Sequence, residues 1–382
     1  MNAFLTATYS SICALSPIFV IYSLVGGSLT ILDMLILFFY VISIFSYFRK
    51  RGEFVIPVEL LFMFVFIHSL ITYIVNNDTS IFLRAMHLAN LIFFVAFYNK
   101  YYFDLELAKK IVSSFAVIAT LFLIIQHVGS IFLGLSIPGI ISQYAINDAN
   151  MENMVHGTDI YRFASFFVEP AAFAHYIICA LAIELYYKEK ANLLIVALYG
   201  LGCIMSTSNT AMALYVFLIF LFLYENKLFN KKTIILFFLS IIIIVIAQPY
   251  LEAISSRLES GISAGNRFEG YSNIDRLLHN TFWGIGFVAP SDMGCYLAGF
   301  ARLVVYMGLL GVVVYGSFFT YMMINTNMKK MLLVFLILNI GSDTIFGVSF
   351  LYYISFIVND MKKSTKFKIN TYERSINYYN KL

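Results

Sequence analysis

The sequence predicts an all-α fold, a polytopic transmembrane helical bundle of about twelve spans. The 382 residues are 61% hydrophobic and only 12% charged, whereas a soluble domain carries about 25% charged residues. Long apolar runs recur along the chain, and a helix needs about 20 such residues to cross the hydrocarbon core of a bilayer. Only short charged segments separate these runs. We therefore predict one integral membrane domain over residues 1–382.

The predicted spans follow the apolar runs. Residues 11–25 are preceded by neither a basic segment nor a small-residue cleavage site, so we expect them to be retained as the first span. The last apolar region, 331–358, is interrupted at 341–343, and it is either one kinked helix or a hairpin of two short helices. The other spans are expected near 30–48, 54–75, 81–98, 110–127, 171–187, 192–206, 210–224, 233–249 and 298–324.

Charge between the spans predicts their orientation, because cytoplasmic connections are enriched in Lys and Arg. The lysine-rich tail 359–382 is predicted to be cytoplasmic, as is the N-terminus, so the number of spans should be even. This favours the hairpin over 331–358 and twelve spans. The basic connections fitting the cytoplasmic side are 49–51, 100–110, 188–190, 227–232 and 329–330.

Two predicted external segments, about 128–168 and 250–297, are longer than a simple connection requires. Segments of this length are usually functional or disordered. We expect both to be partly helical and to lie on the outer membrane surface.

The 25 basic residues are divided unevenly by this topology. Nineteen fall in cytoplasmic segments, and the other six are all Arg. Arginine forms bidentate contacts with phosphate or carboxylate, so the division predicts an anion held at the outer face. The alternative is ordinary pairing with acids nearby in sequence, such as Glu259 and Glu269. The six are Arg84, Arg162, Arg257, Arg267, Arg276 and Arg302.

Arg84 lies one turn into the predicted fourth span. An arginine within the membrane is by default a functional candidate that faces a cavity, although it could also extend to the nearby interface. His87, three residues further on, is interpreted as a packed or hydrogen-bonded core histidine rather than a catalyst.

The sharpest local motif runs from Arg162 to His175. Pro170 at a first helical position and Glu169 before it predict a helix start. A carboxylate at the outer interface could also take a proton from a sugar hydroxyl, which makes Glu169 a catalytic candidate. His175 is interpreted as structural.

Two further stretches are polar. Arg276 and His279 are three residues apart and would share one helical face, whereas Gly284 and Gly286 predict a tight turn or a close backbone approach. The only Trp, Trp283, is an interface anchor or a sugar platform. The polar residues 205–210 predict a tight external turn, with a cavity mouth as the alternative.

Together these residues resemble the O-antigen and capsule polysaccharide polymerases (the Wzy family), which are related to the O-antigen ligases. The resemblance covers most of the chain and includes the arginine-bearing fourth span and the two arginine-rich external segments. It rests on Arg162…Ser165-Phe-Phe-x-Glu169-Pro170, Ser206-Thr-Ser208-Asn-Thr210-Ala, Trp283-Gly-Ile-Gly286-Phe and Met307-Gly308-Leu-Leu-Gly311.

The resemblance implies an inverting, metal-independent glycosyl transfer at the periplasmic face of the bacterial inner membrane. The growing glycan would move from undecaprenyl diphosphate to the non-reducing end of a lipid-linked repeat unit. Glu169 is the first candidate for the general base and His279 the second. The arginines expected to neutralise the leaving diphosphate are Arg84, Arg162, Arg267, Arg276 and Arg302.

No cofactor and no nucleic acid is expected. The partners implied are undecaprenyl-diphosphate-linked oligosaccharides, membrane lipids, a chain-length regulator and a flippase. Tyr161, Phe166 and Phe167 would pack against sugar rings or lipid. O-antigen ligases carry a histidine after the Gly-x-Gly turn, and residues 289–296 contain none, which disfavours the ligase alternative.

Two other classes stay open. A lipid-linked-oligosaccharide flippase would have short loops and two related halves, and the long external segments argue against it. A secondary transporter would use the break at 341–343 as its substrate site, but the first half of the chain offers no second broken segment.

Overall fold

The chain forms a bundle of α-helices in the computed structural model. Four of the helices begin at a side-chain cap: Asp78, Asp104, Asn192 and Ser208 each accept a hydrogen bond from a backbone amide in the first turn that follows, as N-cap residues do. The residues described are 2–25, 29–47, 55–135, 137–141, 144–145, 153–154, 161–226, 269–278, 281–289 and 293–359.

Twelve helices have both ends within the described ranges, residues 269–272 are also helical, and two of the connections contain short antiparallel β-hairpins. β1 (Ser23–Val25) pairs with β2 (Leu29–Thr30), and β3 (Asn153–Met154) pairs with β4 (Tyr161–Arg162). The helices are α1 (Asn2–Phe19), α2 (Ile31–Tyr47), α3 (Ile56–Asn76), α4 (Thr79–Tyr102), α5 (Leu105–Leu133), α6 (Pro170–Tyr186), α7 (Leu193–Met205), α8 (Asn209–Glu225), α9 (Ile274–Leu277), α10 (Gly299–Asn325), α11 (Lys329–Gly341) and α12 (Val348–Asn359).

Four of these helices, α3, α4, α5 and α10, are long and apolar enough to cross a membrane, and six further apolar helices are shorter. The prediction of an all-α transmembrane protein is therefore confirmed. The number of spans and the side on which each connection lies stay predictions. The predicted span 233–249 lies outside the described residues.

One expected boundary was wrong. The first helix covers 2–19 rather than 11–25, because Ser23–Val25 leaves the helix to pair with β2 and Pro17 removes an amide donor from the last turn. The first external segment contains the end of α5, to Leu133, and the β3–β4 hairpin, and several of its residues lie outside the described ranges, so its predicted place on the outer surface stays a prediction. In the second segment, α9 is a helical turn of four residues.

The core consists of aromatic and aliphatic side chains between the helices. The strongest helix pair is α3 with α4, while α12 packs against α1, α4 and α11. Tyr352 of α12 stacks on Tyr176 of α6 with the ring centroids 5.1 Å apart. Because α12 is buried on every side from Phe350 to Val358, it has the apolar surface all round that is expected of a central helix.

Candidate functional site

Charged residues are divided between the two ends of the bundle. Near one end, Lys188 pairs with the buried Glu184 at 2.5 Å, Lys330 pairs with Glu225, and the Thr326 hydroxyl donates to the carbonyl of Ile357. All lysines within the described residues lie in or next to the connections at this end, which we call the lysine end. They are Lys100, Lys109, Lys110, Lys188, Lys190, Lys329 and Lys330.

The described arginines lie toward the opposite end, which we call the arginine end. Arg84 is in the second turn of α4 and Arg302 is in the first turn of α10, whereas Arg162 and Arg276 are in connecting segments. Tyr271 ties the segment of Arg276 to this end, because its hydroxyl donates to the carbonyl of Ile340 at 2.9 Å. The arginine end is therefore where an anion would meet fixed positive charge.

α10 is broken in its third turn, and residues 281–289, which we call the inserted loop, fill the break. At Gly308 the backbone leaves the helical region, with φ 59°. The carbonyls of Val305 and Tyr306 accept from the amides of Ile285 and Gly286 at 2.9 and 3.0 Å instead of from their own helix.

The inserted loop also supplies the acceptors that the next turn of α10 lacks. The amides of Leu309 and Leu310 donate to the carbonyls of Thr281 and Phe282 at 2.9 and 3.2 Å. Four backbone groups that would pair within an unbroken helix therefore pair with the loop. Irregular backbone at membrane depth is tolerated where protein satisfies it in this way.

Gly284 and Gly286 permit this close contact. A Cβ at Gly284 would lie 2.5 Å from the carbonyl of Tyr306 and 2.7 Å from the amide nitrogen of Gly308, and its φ is +74°. A Cβ at Gly286 would lie 2.9 Å from Ile81 of α4. The predicted close backbone approach at these two glycines is confirmed. Trp283 lies half-buried beside them, and its carbonyl is 2.8 Å from Nε2 of His68.

α11 and α12 form a hairpin, which settles the alternatives for 331–358 in favour of two helices. α11 has 13 residues and is about 20 Å long at 1.5 Å per residue, less than the roughly 30 Å hydrocarbon core. Its end lies inside the bundle, where Leu338, Asn339 and Ser342 are buried. We call the connection 342–347 the apex. Oδ1 of Asn339 accepts from the apex amides of Thr344 and Ile345 at 3.1 and 2.9 Å.

A buried ion pair joins the apex to α10. Arg302 donates through Nη1 to Oδ2 of Asp343, and the two side chains are only 11% and 17% exposed. The guanidinium also lies over the ring of Tyr306, 5.7 Å from its centroid. Nε of Arg302 and Oδ1 of Asp343 are buried without a hydrogen-bond partner among the residues described. The pair thus holds the apex against the first turn of α10.

His175 links α6 to the same apex. Its Nε2 lies 3.1 Å from the hydroxyl of Ser342, and its carbonyl accepts from the hydroxyl of Tyr353 at 2.8 Å. The interpretation of His175 as structural agrees with these contacts.

Arg84 approaches from the other side of the inserted loop. Its side chain is exposed, and Nη1 donates to the carbonyl of Phe287 at 3.2 Å. The next carbonyl, that of Val288, accepts from the hydroxyl of Tyr306 at 2.6 Å, and Tyr306 lies under Arg302. The inserted loop therefore connects Arg84 to Arg302, two arginines that are far apart in sequence.

Glu169 is exposed at the N-cap of α6, and its side chain makes no capping hydrogen bond. It lies six residues before His175, about 9 Å further along the helix axis. The motif before it is anchored in the core: the Ser165 hydroxyl donates to the carbonyl of Ala119 at 2.7 Å, and Ser165 has φ 56°. Phe166 stacks on Phe122 at 4.4 Å.

The remaining candidate site residues are either placed elsewhere or lie outside the described residues. Phe167 is buried in the core against Phe173, so the expectation that it packs against sugar or lipid was wrong. Arg276 is exposed on α9. Arg267, His279 and the side chains of Tyr161 and Arg162 lie outside the described residues.

The polar stretch 205–210 is a tight turn, as predicted. The hydroxyl of Ser206 donates to the carbonyl of Cys203 at 2.8 Å, and Ser208 caps α8. Ser206, Thr207 and Ser208 are buried, so they do not line an open mouth.

Sequence reasoning missed two pairings at the arginine end. His87 is not a packed core residue: 40% of its side chain is exposed, and its Nδ1 lies 3.4 Å from Oδ1 of Asp33. Asp343 was noted only as part of a helix break, and its partner is 41 residues away in α10. The signal that could have identified both pairings is an acidic residue, Asp33 or Asp343, within an apolar run. A carboxylate inside a membrane span needs a partner.

Among the described residues, no group of three or more His, Cys, Asp and Glu side chains is placed to hold a metal ion. The chain matches no protein-family model and no curated protein.

Proposed function

We propose that this protein is an O-antigen or capsule polysaccharide polymerase of the bacterial inner membrane. In this proposal the chain crosses the membrane twelve times, both termini and the lysine end are cytoplasmic, and the arginine end faces the periplasm. The enzyme transfers the growing glycan from undecaprenyl diphosphate to a lipid-linked repeat unit with inversion of the anomeric centre.

The observation that carries the proposal is the assembly of Arg84, Arg302 and Glu169 around two irregular elements at one end of the bundle. The inserted loop joins the two arginines, and the apex joins Arg302 to the helix that begins after Glu169. A leaving diphosphate needs fixed positive charge that does not have to reorganise during the reaction. Arginines held by backbone carbonyls and a buried carboxylate meet that need.

Each candidate has one role in the proposed reaction. Arg84 and Arg276 are exposed and would contact the diphosphate as the bond to the anomeric carbon breaks. Arg302 would complete the electrostatic field from inside the bundle. Glu169, whose carboxylate is exposed and is not used to cap its helix, would orient the acceptor hydroxyl.

Deletion of the gene in its host tests the proposal, with surface glycan separated by length. A polymerase deletion should leave glycan of single repeat units, whereas loss of all capped glycan would indicate a flippase. Full-length chains would contradict both. Arg84→Ala should reproduce the single-unit pattern at normal protein level. Lys190→Ala, which removes an exposed charge at the lysine end, is the matched control and should retain long chains.

A secondary transporter is the second candidate, because discontinuous helices commonly form transporter sites. The break of α10 at Gly308 lies beside the apex, since Phe346 packs on Tyr306 with ring centroids 5.6 Å apart. Both irregular elements belong to the second half of the chain, however, so the repeated pattern of such transporters is not seen in the described residues. Normal glycan length in the deletion strain would favour this candidate.

A further inference from the structure

The pair formed by His87 and Asp33 lies at the arginine end, close to the proposed leaving-group site. Asp33 is in the first turn of α2 and His87 is in the third turn of α4, with Nδ1 and Oδ1 3.4 Å apart. We propose that His87 is the catalytic base that takes the proton of the acceptor hydroxyl, and that Asp33 is its positioning residue. This inference rests on the proposed polymerase function.

Asp33 is itself held rigidly. Its second oxygen, Oδ2, accepts from the hydroxyl of Thr30 at 2.7 Å and from the amide of Thr30 at 3.1 Å. The Asp33 amide in turn donates to the Thr30 hydroxyl at 3.0 Å, which forms a capping box at the start of α2. Because Oδ2 is occupied by the cap, Oδ1 is the oxygen that faces Nδ1 of His87.

The tautomer follows from this contact. Because an ionised aspartate can accept but not donate, the contact at 3.4 Å favours the tautomer with the proton on Nδ1 and the lone pair on Nε2 of His87. The side chain of His87 is 40% exposed whereas that of Asp33 is only 12% exposed. A buried carboxylate behind a half-exposed imidazole is the arrangement that a general base uses, with its orienting partner on the far side of the ring.

The position of His87 relative to Arg84 matches the geometry of the proposed glycosyl transfer. Residues three apart on a helix have Cβ atoms about 5–6 Å apart on one face, and Arg84 and His87 are so related. In an inverting displacement the attacking oxygen begins about 3–3.5 Å from the anomeric carbon, and the leaving oxygen is bonded to the opposite side of that carbon. One side chain can therefore reach the diphosphate while the other reaches the acceptor hydroxyl.

The step balances without another reactant. The acceptor oxygen forms the new bond to the anomeric carbon, and its proton moves to Nε2 of His87. The bond from that carbon to the diphosphate oxygen breaks, and its electron pair leaves with the diphosphate, whose charge faces Arg84. Release of the proton to solvent restores His87 for the next transfer.

Glu169 is the competing base, and its place in the fold differs. Glu169 begins α6, the helix that contacts the apex through His175, whereas His87 is on the same helix as Arg84. Imidazole is also the side chain that most often serves as a base near neutral pH. The substitutions His87→Gln and Glu169→Gln therefore separate the two assignments.

The test uses the full-length protein in liposomes with lipid-linked oligosaccharide extracted from the deletion strain. His87→Gln should lower kcat by about 100-fold or more, the range of general-base catalysis, with KM within a few fold of the wild-type value. Asp33→Asn keeps an acceptor for the capping box and should lower kcat by about ten- to a hundredfold, the effect of one charge-assisted hydrogen bond. Asp33→Glu should recover part of this loss.

His127→Gln is the matched control. His127 is a buried histidine of α5 whose Nε2 contacts the carbonyl of Met205 at 3.1 Å, a contact that a Gln amide can replace, and kcat should be unchanged. A wild-type kcat for His87→Gln would overturn the inference, as would a loss in Asp33→Asn that appears only in protein yield. If the wild-type protein itself extends no glycan, the proposed function fails instead.

Discussion

The ion pair between Arg302 and Asp343 allows the structural and functional roles of an arginine to be separated. Removing one partner leaves an uncompensated charge inside the bundle, which typically costs 3–5 kcal/mol. Since the two side chains retain 11% and 17% exposure, we expect the lower end, about 3 kcal/mol, for Arg302→Met or Asp343→Leu alone. Replacing both partners by apolar residues of similar size is often neutral. The double variant should therefore be more stable than Asp343→Leu.

Thermal midpoints of the detergent-solubilised protein, taken from the fraction that stays monodisperse after heating, measure this coupling. A loss of about 3 kcal/mol corresponds to a fall of roughly 4 °C for a chain of this size. Glycan length in the deletion host gives the second measurement. If Arg302 acts on the diphosphate, the double variant should be stable but still produce single units. A double variant no more stable than Asp343→Leu would refute the reasoning about the pair.

The remaining predictions concern backbone contact and topology. Gly284→Ala should destabilise the protein by about 2–4 kcal/mol, because its Cβ would meet the backbone of Tyr306 at 2.5 Å in a conformation already unfavourable for Ala. Gly294→Ala is the matched control: its φ is +66° with no atom within 4 Å of the added Cβ, so about 1 kcal/mol is expected, and equal falls in thermal midpoint would contradict the explanation. A Cys introduced at Asn77, in the exposed α3–α4 connection, should react with a membrane-impermeant thiol reagent in intact spheroplasts. A Cys at Glu189, exposed at the lysine end, should react only after permeabilisation, and the reverse pattern would invert the proposed topology.

Local chemistry made much of the helical framework predictable. Pro170 preceded by Glu169 marks the start of α6, and both glycines of the Trp283 motif lie where backbone approaches backbone. The helix start and the two glycine positions each depend on the conformational preference of a single residue, so they can be predicted without knowing the fold. The division of Lys and Arg between the ends was also visible, because it requires only the order of the spans.

The site itself could not be predicted because its contacts are long-range. Hydropathy gives an unbroken span over 298–324, since the break at Gly308 is compensated by a loop that sequence alone does not bring to it. In the sequence, Asp343 only interrupts an apolar run, and its pairing with Arg302 is evident only in the fold. His87 looks like a core residue because its partner, Asp33, belongs to a different helix.

The two irregular elements explain why polar residues gather at the arginine end. A helix break inside a membrane protein exposes amides and carbonyls that lipid cannot satisfy. In α10 the inserted loop satisfies them, and at the apex Asn339 does so. Each solution brings non-helical chain into the bundle, and that chain carries the carbonyl that holds Arg84 and the carboxylate that holds Arg302. The same departures from regular structure that cost helical hydrogen bonds therefore fix two positive charges where a diphosphate would be bound in the proposed reaction.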